Sequence, residues 1–404
     1  MNDSTRASGA PKPPRLKLTP TERKASMALA LLFASRMLGL FLLTPVFAVA
    51  ASTLPGGNDA MRIGLALGAY GLTQAVLQIP LGMASDRFGR RPVIVFGMVL
   101  FIVGGVVCAL APSVDWITFG RILQGLGAIS AAITAWVADA TRPEVRTRAM
   151  AMVGGSIGLS FAVSLVLSPV IVGQFGLSGL FWAISLLGFV CLLIAAFVVP
   201  VVPPAQATMS GARPRDVLRH DGLLRLNFGV FCLHFILMSL FVVAPGTLAG
   251  LGGYATSSLW QVYLPVILLS FIFMVPVVFY TETRRVHQAA LKGAVLALAV
   301  VLALMPLASQ AFYPFVAALV GFFVAFNILE ALQPSLVSRE APPEYKGMAL
   351  GFYNTAQSLG VFLGGALGGL SAARAGTGVV YGVCAAVALC WLFVAGRQRP
   401  ASAA

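Results

Sequence analysis

The sequence predicts an all-α membrane protein, with twelve transmembrane helices in two six-helix bundles related by a pseudo-two-fold axis along the membrane normal. Three observations carry this prediction. The chain is 59% hydrophobic and only 10% charged, against roughly 45–50% and 25% in soluble proteins. Setting aside a polar head (1–24), a polar middle (202–222) and a short tail (397–404) leaves 351 residues in long apolar stretches, about 29 for each of twelve spans. That is enough for the ~20 residues that cross the hydrocarbon and a short loop. Finally, the two halves of the chain repeat one another.

Charge clusters and Pro/Gly turns place the first six spans near 25–51, 60–84, 92–111, 115–139, 148–172 and 177–201. The second six fall near 223–249, 256–281, 287–308, 312–337, 347–371 and 376–396. With both termini in the cytoplasm, 23 of the 27 Lys and Arg residues lie on the head, the inner loops and the tail. Outside remain only Arg62 and Arg374, and Arg36 and Arg121 lie within spans. This bias follows the positive-inside rule. The expected organisation is a cytoplasmic leader (1–24), a bundle (25–201), a cytoplasmic linker (202–222), a second bundle (223–396) and a cytoplasmic tail (397–404). The basic, Pro-rich head precedes an apolar run too long for a signal peptide, so it reads as a retained leader.

The repeat is visible residue by residue. Arg36–Pro45 aligns with Ile236–Pro245 at an offset of 200, and Pro143-Glu144-Val145-Arg146 aligns with Pro343-Glu344-Tyr345-Lys346 at the same offset. Pro80 and Asp86 are echoed by Pro276 and Glu282 at an offset of 196. Matching an odd span to an odd span in six-span halves makes a parallel repeat, whose substrate sites lie near the midplane between the halves.

Several function classes are excluded. A net charge of +14 suits nucleic acid only when gathered on one wet surface; here it is scattered between spans. Cys108, Cys191, Cys232, Cys384 and Cys390 fall inside apolar runs with no metal or disulfide spacing. No G-x-x-x-x-G-K-[ST] loop or H-E-x-x-H pair occurs, so neither an enzyme nor a cofactor is expected.

Between the second and third spans stands Gly82-Met-Ala-Ser-Asp86-Arg87-Phe-Gly89-Arg90-Arg91. A carboxylate and arginines at a membrane boundary can form charge-assisted bonds, and the glycines let the loop approach a neighbouring helix. This segment resembles the loop signature of the major facilitator superfamily (G-x-x-x-D-R-x-G-R-R) at every defining position. The resemblance implies an inner gate in which Asp86 faces the start of the eleventh span and Arg90 pairs with Asp139 at the end of the fourth; a simply solvated Asp139 is the alternative. Gly120-Arg121-Ile-Leu-Gln124-Gly125-Leu-Gly127-Ala resembles the superfamily's second signature, R-x-x-Q-G-x-G-A. By that resemblance Arg121 is linked to proton transfer, unless it snorkels to the outer headgroups. Ser168-Pro169-Val-Ile-Val-Gly173 keeps only part of the antiporter signature. Gly360, Gly364 and Gly368 recur every fourth residue, a spacing that lets helices pack closely.

Arg36-Met-Leu-Gly, Arg225-Leu-Asn-Phe-Gly, Cys232-Leu-His234 and Phe323-Val-Ala-Phe-Asn327-Ile-Leu-Glu330-Ala resemble a narrower group, the YajR-like drug/proton antiporters. The likeness stops after the last span, where eight residues leave no room for the soluble C-terminal domain of the group's best-known member. Arg36 and His234 lie at mid-depth, where a charge exposed to lipid is costly. Arg36 is expected on the cavity wall or in a structural pair. His234 either titrates or is a satisfied core residue. Of the thirteen acids only Glu330 sits well within a span; it is the expected proton carrier, or else the partner of a basic group such as Arg36. Gln74, Phe241, Asn327, Tyr353, Asn354 and Gln357 complete the expected substrate cavity. Many drug/proton antiporters carry an acid in the first helix, and arginine here points to an anionic or neutral solute.

The expected function is proton-coupled efflux of small organic molecules by a monomer in the bacterial inner membrane, its partners being solute, protons and lipid. Import or facilitated diffusion of a metabolite is the alternative on the same fold, and a receptor or channel is the alternative of another class.

Overall fold

A computed structural model describes residues 18–127, 129–200, 214–342 and 346–396. Most of the leader, much of the linker, the tail and Pro343-Glu344-Tyr345 lie outside the described residues. Among the described residues there is no strand, and eleven helices are long and apolar enough to cross a membrane.

Helix α1 (Pro20–Phe41) starts at a capping box. The Thr19 hydroxyl accepts from the Glu22 amide and the Glu22 carboxylate accepts from the Thr19 amide, so two orphan donors of the first turn are satisfied. The first span is expected to run unbroken to 51, but the helix ends at Phe41 and resumes as α2 (Phe47–Ala50). Pro45 explains the break, because its ring removes an amide donor and clashes with the carbonyl one turn back. Thr44 Oγ1 donates to the Phe41 carbonyl and Ser168 Oγ to that of Leu42, so the interruption leaves no orphan there.

Helix α3 (Ala60–Phe88) is capped by Asp59, which accepts from the Met61 and Arg62 amides. Helix α4 (Arg90–Ala109) follows after Gly89, whose φ of 94° and ψ of 151° suit glycine alone. The fourth span, expected as one helix, divides into α5 (Val114–Leu126) and α6 (Ser130–Asp139). The division falls where Gly127 meets the backbone of Gly97, an approach that a side chain on Gly127 would prevent, while one on Gly97 would run into Ile129.

The fifth and sixth expected spans lie in α7 (Pro143–Leu193), continuous except at Gly176, where φ is 67°. A single glycine in the left-handed region turns the chain there. The remaining helices are α8 (Pro214–Leu218), α9 (Asp221–Gly252), α10 (Trp260–Arg284), α11 (His287–Ala308), α12 (Phe312–Glu340), α13 (Lys346–Ala375) and α14 (Thr377–Gly396).

Two glycine faces of α13 set the architecture. Gly360, Gly364 and Gly368 lie against the α9 backbone at Phe231, Phe235 and Ser239, and Ser239 Oγ donates to the Gly364 carbonyl over 2.8 Å. A second face, Gly365 and Gly369, meets α3 at Gly64 and Gly68. Helices α3 and α13 run antiparallel, and this backbone contact zips them together at the end of the molecule that carries Arg62. Toward the opposite end, which carries Arg90, Gly347 and Gly351 on α13 and Gly154 and Gly158 on α7 have open space where a Cβ would stand. The close glycine contacts between α3 and α13 therefore lie toward the Arg62 end.

Candidate functional site

At the Arg90 end, a charge cluster links α3, α4 and α6. Arg90 Nε donates to Asp139 Oδ2 over 2.8 Å, and Arg90 Nη1 reaches both Asp86 and, over 2.7 Å, Ser85 Oγ. The Arg90 and Asp139 side chains are only 14% and 11% exposed. Arg91 Nη2 donates to the Val199 carbonyl over 2.6 Å, holding the far end of the α7 region. Arg87 stacks over Phe88, and a Cβ at Gly82 would press on Ala131 of α6 at 3.3 Å. Asp86 remains 65% exposed and pairs with Arg90. Among the described residues, Asp86 makes no hydrogen bond or ion pair with its expected neighbour, the start of the eleventh span near Gly347. A second cluster at the same end joins Arg142 to Glu22 over 2.8 Å.

The interior of the first half holds two arginines. Arg36 on α1 and Arg121 on α5 are each 1% exposed. Both guanidinium carbons lie over the ring of Tyr70 on α3, 5.7 and 4.8 Å from its centroid. Arg36 also donates to Ser130, the first residue of α6, and Arg121 donates to Gln124 Oε1 over 3.1 Å. Gln74, one turn beyond Tyr70, is buried on the same helix. Helix periodicity could have revealed Tyr70 as part of this group through its i,i+4 relation to Gln74.

In the second half, His234 on α9 is 3.8 Å from Glu330 on α12, and Gln357 Nε2 on α13 is 2.7 Å from His234 Nε2. His234 Nδ1 is 3.1 Å from the Val230 carbonyl. With the Nδ1 hydrogen donated to that carbonyl, Nε2 is left to accept from the Gln357 amide. Glu330 Oε2 and the Tyr353 hydroxyl are buried without hydrogen-bond partners. Arg36, weighed from sequence as a partner for Glu330, is engaged elsewhere.

Other expected cavity residues have packing partners. Asn327 Nδ2 donates to Ser270 Oγ on α10 over 2.9 Å. Asn354 is half-buried, and its carbonyl accepts from Ser358 Oγ. Phe241 belongs to an aromatic cluster centred on Phe161 of α7, whose ring lies 5.1 Å from Phe41, 6.2 Å from Phe241 and 5.7 Å from Phe326. This cluster bridges the two halves of the chain, and no local pattern marks Phe161 as its hub. A cavity of about 560 Å³ at the Arg62 end, lined by Ser52, Thr53, Phe175 and Ser257 among others, contains none of the expected site residues.

Long apolar helices enclosing a few buried polar groups define an integral membrane protein. The chain belongs to the Major Facilitator Superfamily, whose family model matches residues 29–365. It is 43% identical over 389 residues to the inner membrane transport protein YajR of Escherichia coli K12, covering 95% of this chain and 85% of that relative. Over 168 residues it is 29% identical to the multidrug resistance protein MdtL of Escherichia coli O9:H4, covering 41% of this chain and 42% of MdtL. Among solved structures, a D-xylose-proton symporter matches with a TM-score of 0.74 at 16% identity, covering 93% of this chain and 98% of the symporter, a likeness of fold.

Proposed function

We propose that the chain is a proton-coupled exporter of small organic molecules that works by alternating access in the bacterial inner membrane, as a monomer with both termini cytoplasmic. The observation that carries the coupling is the buried group of Glu330, His234 and Gln357. An acid enclosed by α9, α12 and α13, 3.8 Å from an imidazole that is cationic only when protonated, can exchange a proton when the surrounding helices admit water from one side and then the other. Efflux is supported by likeness to MdtL, a multidrug resistance protein.

The gate is assigned to Gly82, Asp86, Arg87, Gly89, Arg90, Arg91 and Asp139, which hold the Arg90 end together when the bundles close there. Twelve spans in two bundles, 25–201 and 223–396, are supported by the turn at Gly176, which divides α7 in two. The pseudo-two-fold relation is supported by a matching charge device. Glu282 and Arg339, paired over 2.8 Å, are the counterparts at repeat offsets of Asp86 and Asp139, with His287 3.2 Å from Glu282.

The test uses proteoliposomes with trapped pyranine, challenged with organic cations, neutral compounds and anions under a pH gradient of one unit. One proton across that gradient is worth about 1.4 kcal/mol, a roughly tenfold solute ratio. The wild-type chain is expected to move protons when a transported compound is added. Glu330→Gln is expected to lose that proton flux while still exchanging the compound. Unchanged proton flux in Glu330→Gln would remove the proton role, and equilibration without proton movement would make the chain a facilitator.

A further inference from the structure

We propose that Arg36, Arg121 and Tyr70 form a binding site for an anion, and that the transported molecule carries a carboxylate, sulfonate or similar acceptor-rich group. The proposal rests on the transporter reading above and names its substrate class. Both guanidiniums are 99% buried within the first half of the chain. Among the described residues, no carboxylate comes within 4 Å of either. The acids of that half whose side chains are described sit at its ends and are engaged there: Glu22 with Arg142, Asp59 and Asp115 with Arg62, and Asp86 and Asp139 with Arg90.

Each buried ion loses several kcal/mol of effective solvation. What each arginine gains in place of water is small: one neutral hydrogen bond, to Ser130 or to Gln124, and a share of one tyrosine ring. A cation–π contact returns only ~2 kcal/mol or somewhat more even when desolvated. Arg36 Nε and Nη2 and Arg121 Nε remain buried donors without acceptors, and the Tyr70 hydroxyl is unpartnered as well. Helix α6 adds to the positive field, since it begins at Ser130 beside Arg36 with no side-chain cap on its first turn. The unpartnered arginine nitrogens are all donors and carry positive charge, and a ligand that offers acceptors and a negative charge answers both. Arg36 supplies the planar fork that suits a bidentate carboxylate. Five residues along α1, Phe41 opens the aromatic cluster, which gives an apolar body a wall.

The experiment follows the unfolding temperature of the full chain in detergent at matched ionic strength, with compounds of one shape and different charge: benzoate, benzenesulfonate, benzamide and benzylammonium. Sodium chloride is the inorganic arm. Benzoate and benzenesulfonate are expected to raise the unfolding temperature, and benzamide and benzylammonium to leave it unchanged. In Arg36→Gln and Arg121→Gln the half-saturating concentration should rise at least tenfold, with Arg36→Lys intermediate. A response to chloride equal to that of benzoate supports the anion site and assigns it to the inorganic ion. The proposal is overturned when no anion stabilises the protein, when benzamide or benzylammonium does so equally, or when both glutamine variants keep the wild-type response. The wild-type charge series decides on its own should a variant fail to fold. Stabilisation by benzylammonium alone would end this proposal and leave the exporter reading standing, whereas loss of solute-dependent proton flux tests that reading through Glu330 in the other half.

Discussion

Breaking the Arg90–Asp139 pair should cost unequal amounts depending on which partner is removed. Arg90→Ala leaves the Asp139 carboxylate 89% buried and without its 2.8 Å donor, a loss on the order of 3–5 kcal/mol for a buried pair deprived of one member. Asp139→Asn is milder, because Arg90 keeps Asp86 and Ser85 as acceptors; it should cost about 1–2 kcal/mol, near the lower end for a charge-assisted bond. In the double variant neither charge is left stranded, so the summed single losses should exceed the double loss by ~2 kcal/mol. Reversible unfolding of the purified chain in mixed micelles measures all three. Equal single losses that add to within ~0.5 kcal/mol would refute the reasoning, since independent sites add that closely. Turnover in proteoliposomes provides the functional arm: a gate built on this pair predicts that Arg90→Ala slows transport more than Asp139→Asn does.

Further outcomes follow from backbone geometry. A leucine at Gly365 must displace the backbone of Gly64 and Gly68 on α3. Overpacking of this kind costs typically ~1–3 kcal/mol, so Gly365→Leu should favour opening of the Arg62 end and speed thiol labelling of a cysteine placed at Ser358; unchanged labelling would contradict the zipper. Gly89→Ala should lose on the order of 1–3 kcal/mol of stability because its φ of 94° and ψ of 151° lie where essentially only glycine is found, and an unfolding midpoint equal to wild type would contradict that. Phe161→Ala, which opens the hub of the aromatic cluster between the halves, should cost ~3–5 kcal/mol, and a loss below ~1 kcal/mol would show that the rings do not depend on it.

Much of the fold was legible because membrane burial imposes long apolar runs whose ends are marked by charge. The Arg90–Asp139 pairing was implied by the resemblance of the Gly82–Arg91 loop to the superfamily signature, and the two side chains lie 2.8 Å apart. Helix breaks were harder. Pro45 interrupts the first span, whereas Pro245 at the matching place in the repeat lies inside an unbroken α9. The difference depends on tertiary acceptors and donors such as Ser168, which no local pattern reveals. The second glycine face of α13 was missed for a similar reason, as Gly365 and Gly369 matter only once α3 is known to lie against them. Tyr70 was hidden because an aromatic in an apolar helix ordinarily reads as packing; its importance comes from two arginines that converge on it from separate helices.

Alternation of access is tested most directly by pulsed spin-label distances measured across both ends of one chain, with Cys390 replaced to leave no exposed native thiol. Met61 and Ala373 report the Arg62 end, and Phe88 and Gly347 the Arg90 end; all four are exposed. As pH and solute are varied, the account predicts that one distance lengthens while the other shortens, with populations that mirror each other. Both ends widening together, or neither changing in any condition, would contradict it.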